Sequence, residues 1–295
     1  MKTDFLILGS TGMLGSALMT GLKANGYSVQ GAARSDADIC IDVTDDEQLR
    51  KALATVNPAT IINTVAIVDL AYCESNPGHS YECNARVSRK LAEYATSSKT
   101  KYIYISTDHY FTGDGAAKHD EHAALNLCNE YAATKFIGEQ FALQNKNALV
   151  LRTNIVGFRA EKKANTFVEW VISALKNQEA ITLYENFYTS SIDVYNFTEI
   201  LLDLLNKNAT GVFNVASSEV TNKEFFIKAL AEKLDLSTDR AKCGPMPKEA
   251  NGVIRNESLG LDVSKAEKLL GYKLPDLKKV LETLCKHYQN NGVAI

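Results

Sequence analysis

The chain has 295 residues, of which 45% are hydrophobic and 23% charged, with a formal net charge of −3. That length suits one large domain or two unequal ones, and the composition is ordinary for a soluble globular protein. No stripe of Lys and Arg could neutralise a nucleic-acid backbone, and no apolar stretch approaches the roughly 20 residues that cross a bilayer, which argues against nucleic-acid and membrane partners. The apolar run Phe5–Leu8 is too short for a signal peptide. The six cysteines are scattered without a C-x-x-C pair, so reduced, mostly buried thiols in a cytoplasmic protein are expected.

Short β-rich runs alternate with helical stretches through the first half of the chain. This predicts an α/β fold, a Rossmann-type doubly wound parallel sheet with right-handed connections. Strands are expected at Phe5–Leu8, Ser28–Ala33, Thr60–Val65, Lys101–Ser106 and Ala148–Thr153. Helices are expected at Leu14–Asn25, Asp46–Val56, His79–Ser97 and Glu130–Gln144. Beyond Thr153 the alternation weakens. Helices are expected at Thr166–Asn177, Phe197–Leu205 and Asn222–Leu234, with a strand at Gly211–Val215. Two prolines predict a loop at Cys243–Pro247. The organisation expected is a Rossmann domain over 1–153 and a smaller domain over 154–295, with part of 187–216 returning to the first.

Gly9-Ser10-Thr11-Gly12-Met13-Leu14-Gly15 follows the first strand and opens a helix. The first glycine permits a tight turn, the second lets backbone approach a pyrophosphate, and the third lets the helix pack close to the sheet. The helix N-terminus adds N–H donors and the positive end of its dipole. These residues are therefore expected to bind a dinucleotide. At the end of the second strand an acidic residue would accept from the 2′-hydroxyl of NAD ribose. Arg34 and Ser35 stand there instead and suit a 2′-phosphate, which points to NADP(H); Asp36 leaves NAD open.

Tyr131 and Lys135 are four residues apart, one turn along a shared helix face. An ammonium near a phenol favours the phenolate, and so would lower the tyrosine pKa toward neutrality for acid/base work. Upstream, Ser106-Thr107-Asp108 ends the strand Tyr102-Ile103-Tyr104-Ile105, where a hydroxyl can donate to a substrate carbonyl in the ligand crevice.

The run Ile105-Ser106-Thr107-Asp108-His109-Tyr110-Phe111-Thr112-Gly113, followed by Glu121, Asn126, Asn129, Tyr131, Lys135, Gly138 and Glu139, resembles the dTDP-4-dehydrorhamnose reductase family of extended short-chain dehydrogenases/reductases. Asp42 and Val43 are similar to its adenine-side segment. Pro58–Asn63, Cys73-Glu74 and Tyr81-x-x-Asn84-Ala85 resemble the stretch lining the cofactor, beside which Val65 and Ala66 fall. Leu151-Arg152-Thr153 and Leu261–Lys265 also have counterparts, so the similarity runs along nearly the whole chain. The resemblance implies an NADPH-dependent reductase of the 4-keto group of a nucleotide-linked 6-deoxy sugar, with a smaller sugar-nucleotide-binding domain. By that analogy Tyr131 protonates the developing alkoxide, Lys135 bonds the nicotinamide ribose and tunes Tyr131, and Thr107 holds the carbonyl.

Two departures stand out. The family's tryptophan after Arg-Thr is absent from Arg152-Thr153-Asn154-Ile155, and its usual tyrosine after Ser-Thr-Asp is His109. Asp108, Asn154 and Ile155 thus join Thr107 as substrate candidates, with a keto-sugar related to the rhamnose precursor rather than that precursor itself. Arg159, Lys162, Lys163 and Arg255 are candidates for the substrate diphosphate. An epimerase or dehydratase on the same scaffold is an alternative; dehydratases usually carry an acid where His109 stands. A second is a non-catalytic NADP-binding regulatory subunit like that of methionine adenosyltransferase. A homodimer is compatible with either. No metal site is expected: His119-Asp120-Glu121-His122 reads as a solvated loop, and Trp170 as packing in the core or between domains.

Overall fold

The computed structural model describes residues 3–159, 165–250 and 252–291. Strands β1 (Phe5–Leu8), β2 (Val29–Ala33), β3 (Ile39–Cys40), β4 (Thr60–Asn63), β5 (Lys101–Ile105) and β6 (Leu149–Arg152) lie in one sheet. With the later strand Gly211–Asn214 they form a seven-stranded sheet, ordered Gly211–Asn214, β6, β5, β4, β1, β2, β3. Every pairing in it is parallel. Helices α1 (Met13–Ala24), α2 (Asp46–Val56), α3 (Leu70–Ser75), α4 (Pro77–Tyr81), α5 (Val87–Ser98) and α6 (Glu130–Ala142) make the crossovers.

Strands covered on both faces should read as unbroken apolar runs, and β1 is buried throughout. Its residues part by the two-residue strand period. Phe5 and Ile7 enter one hydrophobic cluster with Ile62, Ile103 and Leu149, while Leu6 and Leu8 enter another with Ile61, Tyr102 and Val150. Local chemistry sets the helix ends. Asp45 caps α2 by accepting from the N–H groups of Glu47 and Gln48, and Asn57 ends it in the left-handed region.

The remainder contains α7 (Phe167–Lys176), α8 (Val194–Asn206), α9 (Lys223–Lys233), α10 (Ser264–Leu270) and α11 (Leu277–Asn291), with short strand pairs between them. Thr166 and Glu169 form a capping box on α7. The strand Gly211–Asn214 joins the large sheet beside β6, and α8 packs on α1. The packing is so close that a Cβ at Gly21 would lie 2.7 Å from Thr198 Cγ2.

Four expectations are corrected. The helix foreseen at His79–Ser97 is α4 and α5 joined by a π-helical turn, Glu82–Arg86. Cys243 and Gly244 belong to a strand, Lys242–Gly244, parallel to Thr182–Tyr184; the prolines that follow end it instead of preventing it. The Trp170 side chain is largely on the surface, near Phe167. Among the thiols, all free, Cys73, Cys83 and Cys285 are buried, whereas Cys40 and Cys243 are exposed.

An ion pair lies inside this frame. Arg152, the last residue of β6, donates from Nη2 to Glu139 Oε1 at 2.6 Å and from Nε to Oε2 at 3.1 Å. Ser106 Oγ donates to the same carboxylate at 3.0 Å. Arg152→Leu strands the Glu139 carboxylate in the core and should cost about 3–5 kcal/mol of stability. Arg86→Ala, which opens exposed pairs to Asp46 and Glu82, should cost about 1 kcal/mol or less. Urea denaturation of the two variants checks the contrast.

Candidate active site

The glycine turn is built as its spacing predicts. Gly9 has φ +83°, and a Cβ there would lie 2.6 Å from Thr64 Oγ1. A Cβ at Gly15 would lie 2.1 Å from the Gly9 carbonyl oxygen, so the helix can start this close to the strand only with glycine. Gly12 caps α1 with extended backbone and no side-chain hydrogen bond, which leaves the first-turn N–H groups of Met13, Leu14 and Gly15 open to an anion. Thr11 lies half-buried in the same turn.

Residues Thr64–Ile67 leave β4 at its carboxyl end, beside this turn. Asn84, in the π-helical turn, clamps them: its Oδ1 accepts from Ile67 N at 2.8 Å and its Nδ2 donates to Ile67 O at 3.1 Å. Val65 and Ala66 are thereby held at the rim. π-Helical turns recur at functional sites, and periodicity alone cannot reveal one. Arg34 and Ser35 are exposed just after β2. Asp42 accepts from Thr44 Oγ1 at 2.7 Å, and this bond, its backbone counterpart and the nearby Arg34 charge hold its carboxyl below the usual range. Val43 beside it is buried. A carboxylate not singled out from sequence also stands here: Asp38 Oδ2 accepts from Gly31 N at 2.8 Å.

Thr107, Tyr131 and Lys135 meet where β5 ends against α6. Asn129 caps α6 by accepting from Ala132 N at 2.9 Å, and so fixes where Tyr131 begins the first turn. Tyr131 is buried, and Thr107 is within hydrogen-bonding reach of its phenol. The His109 ring stands edge-on to Tyr131, with centroids 5.4 Å apart. Burial pushes the Tyr131 phenol up, and only the Thr107 hydrogen bond opposes this. That corrects the expected downward shift. The Lys135 ammonium is engaged elsewhere, donating to Ile105 O at 2.7 Å and lying 4.4 Å from the Tyr104 ring centroid. Burial brings Lys135 down to about 7, while Glu139 pulls the other way.

Next to this trio lies a polar chain. Asn154 Nδ2 donates to Asp108 Oδ2 at 2.7 Å, and Ser191 Oγ donates to Asn154 Oδ1 at 2.7 Å. Lys223 Nζ reaches Ser191 Oγ at 3.5 Å. Burial raises Asp108 to about 7, against the pull of Asn154 and Lys223. Burial lowers His109 to about 4, aided by the charges of Lys223 and Arg255. The Arg255 charge is thus near enough to act on His109. Arg159 instead gives its backbone N–H to Glu169 at 2.8 Å, and Lys162 and Lys163 lie outside the described residues. Ile155 packs against the larger hydrophobic cluster. Lys223 and Ser191 carry no sequence motif, so only the fold brings them in.

His119 is part of the framework and no solvated ligand: it stacks on Phe111 at 4.0 Å and meets Gly260 O and Asp114 through its ring nitrogens. Among the described residues, no group of three His, Cys, Asp or Glu is placed to hold a metal ion, and no helix is long and apolar enough to cross a membrane.

A glycine phosphate turn on a parallel sheet, with Tyr131 and Lys135 on the helix beside the β5 terminus, defines a Rossmann-fold protein of the extended short-chain dehydrogenase/reductase type. The family model described as the RmlD substrate binding domain matches residues 2–290, and the chain belongs to that family. A relative, the probable low-salt glycan biosynthesis reductase Agl14 of Haloferax volcanii, is 27% identical over 287 residues, covering 94% of this chain and 96% of its own. Methionine adenosyltransferase 2 subunit beta of Xenopus laevis is 27% identical over 291 residues, covering 95% and 86%. The crystal structure of dTDP-4-dehydrorhamnose reductase from Bacillus anthracis in complex with NADP shares the fold, with TM-score 0.85 at 24% identity over 96% of this chain and 99% of that one.

The Asp108 environment has a measurable consequence. Folded Asp108 keeps its proton up to about pH 7, whereas an unfolded aspartate releases it near pH ~4. Between those values the unfolded chain loses a proton that the folded chain retains, so stability falls as pH rises through the window and levels above it. Asp108→Asn should remove this slope. Unfolding free energies of both proteins from urea denaturation at the two ends of the window should converge at the acid end and separate by a few kcal/mol at the neutral end.

Proposed function

We propose that this protein is an NADPH-dependent reductase of a nucleotide-linked 4-keto-6-deoxy sugar. The observation that carries the reading is the convergence of Thr107, Tyr131 and Lys135 at the carboxyl end of β5, next to a glycine turn with no room for side chains. The cradle fits a pyrophosphate, since a Cβ at Gly9 or Gly15 would collide with its walls. Backbone N–H groups from Thr11, Met13, Leu14 and Gly15 would hold it there, while Gly9 and Gly12, whose N–H groups donate to Ala32 O and Gly9 O, shape the turn. Arg34 and Ser35 would take the 2′-phosphate, Asp42 and Val43 the adenine side, Val65 and Ala66 the nicotinamide side, and Tyr131 and Lys135 the nicotinamide ribose.

When bound, the dihydronicotinamide supplies the hydride. The protein supplies the rest. A buried phenol pushed above its ordinary pKa is protonated at neutral pH, so Tyr131 arrives with the proton that the carbonyl oxygen needs. The Thr107 hydroxyl gives a second donor at the same oxygen. Charge grows on that oxygen as hydride arrives, and donors fixed in a desolvated site stabilise it without reorganising. Lys135, brought to about 7, can lose and regain a proton near neutrality and so help to reload the phenol. Asp108 and Asn154 would hold sugar hydroxyls, and Ile155 in place of an aromatic residue favours a sugar other than the rhamnose precursor.

The likeness to methionine adenosyltransferase 2 subunit beta supports a second reading, a NADP-binding regulatory subunit. Turnover separates the two. A panel of 4-keto-6-deoxy nucleotide sugars, followed by NADPH absorbance, should contain a substrate, and a panel with none favours the regulatory subunit. Dominance of dTDP-4-dehydrorhamnose would show that Ile155 does not set the choice. Tyr131→Phe removes the titrating atom and should lower kcat by about 10²–10⁴ while NADPH affinity holds. Arg34→Ala should weaken NADPH by roughly 1–3 kcal/mol and leave NADH unchanged, as titrations with both cofactors would report.

A further inference from the structure

Lys223 is in an expensive position. It is the first residue of α9, where the helix dipole repels a cation. It is only 8% exposed, and burial brings its ammonium down to about 8. Neither term favours a lysine, and a methionine or leucine would fill the same apolar space without them. What surrounds the ammonium holds it in one place: the ring centroids of Phe167, Phe187 and Phe226 lie 4.5, 5.6 and 5.7 Å away. Three phenyl faces orient a cation but accept no conventional hydrogen bond. Of the three N–H donors that an ammonium carries, only the long 3.5 Å contact to Ser191 Oγ engages one among the described residues. The neighbouring Asp108 meets Asn154 and Thr107, and among the described residues no hydrogen bond joins it to Lys223.

We propose that Lys223 is a specificity-determining residue that donates to an oxygen of the substrate's sugar, the aromatic cage aiming its unused donors at that subsite. The placement agrees with this. Ser191, Asn154 and Asp108 link Lys223 to Thr107, so the ammonium stands at the far end of the polar chain that starts at the reacting carbonyl. A sugar ring held between Thr107 and Lys223 would present its carbonyl to the first and a neighbouring hydroxyl to the second. Arg255, whose Nε is buried without a partner, is left for the diphosphate. The inference rests on the proposed sugar-nucleotide reading.

The test compares wild type, Lys223→Met and Lys223→Gln. Methionine fits the phenyl cage and removes the donors, while glutamine keeps one. Calorimetric titration with dTDP and UDP, and with dTDP-glucose and UDP-glucose, is run with NADP⁺ bound. Nucleoside diphosphates should bind all three proteins equally. The better sugar nucleotide should bind Lys223→Met about tenfold or more weakly, as the loss of one charge-assisted hydrogen bond implies, with part of the loss recovered in Lys223→Gln. For any keto-sugar that the wild type reduces, KM should rise and kcat hold. Equal sugar-nucleotide affinity across the three proteins overturns the proposal, as does a wild type that binds neither sugar nucleotide. A wild type that binds one but reduces no keto-sugar sinks the reductase and leaves the subsite standing.

Discussion

The forked pair between Arg152 and Glu139 is the constraint on which the site depends. Glu139 lies on α6 one turn beyond Lys135, and Arg152 closes β6. The same carboxylate accepts from Ser106, the residue before Thr107. Helix and sheet are thus pinned together at the level where Tyr131 must face Thr107. A buried ion pair gains little net stability, because desolvation of both charges cancels much of their attraction. Its bidentate geometry does fix register and distance, and a hydrophobic pair would allow α6 to slide.

A second lock acts on the same helix from the other side. A Cβ at Gly138 would lie 2.3 Å from both Asn84 O and the Tyr104 hydroxyl, so only glycine lets α6 approach the π-helical turn this closely. The Tyr104 hydroxyl donates to Asn84 O at 2.9 Å and lies 3.2 Å from Lys135 O. Asn84 in turn clamps the segment at Ile67. The segment at Val65 and Ala66 and the face of α6 that carries Tyr131 and Lys135 therefore share one support. Displacing either should displace both.

Much of this was legible in the residues. Buried parallel strands are continuous apolar runs, and glycine spacing encodes a turn that admits no Cβ at Gly9 or Gly15; both signals are local, so the sheet and the glycine turn could be read directly. Tyr131 and Lys135 were readable because helix geometry brings them onto one face. What escaped were properties set by distant chain. The upward shift of Tyr131 comes from burial by the fold, and the tie of Lys135 to Ile105 O joins α6 to β5. Lys223 joins the site only because α9 starts against Ser191. The π-helical turn adds a residue to a helix whose apolar pattern looks continuous, and Trp170 shows that an aromatic at helical spacing need not face inward.

Burial sets the electrostatics of the candidate site. Asp108, His109, Tyr131, Lys135 and Lys223 are each moved by burial, and in every case toward the neutral form. Structural ion pairs behave oppositely: Asp46, held by Lys90 and Arg86, has its carboxyl lowered toward the charged form. The same drift toward neutrality marks ordinary buried groups such as Tyr102 and Asp193; what sets this cluster apart is that Thr107, Tyr131 and Lys135 meet within it at the end of β5, a setting suited to acid/base chemistry. Hydride transfer to a carbonyl creates charge at one oxygen and needs one proton there. In the proposed reduction, a protonated Tyr131 beside Thr107, backed by groups that titrate near neutrality, would meet that demand. The same desolvation strengthens each donor aimed at the oxygen, so burial of the site and its chemistry are consequences of one arrangement.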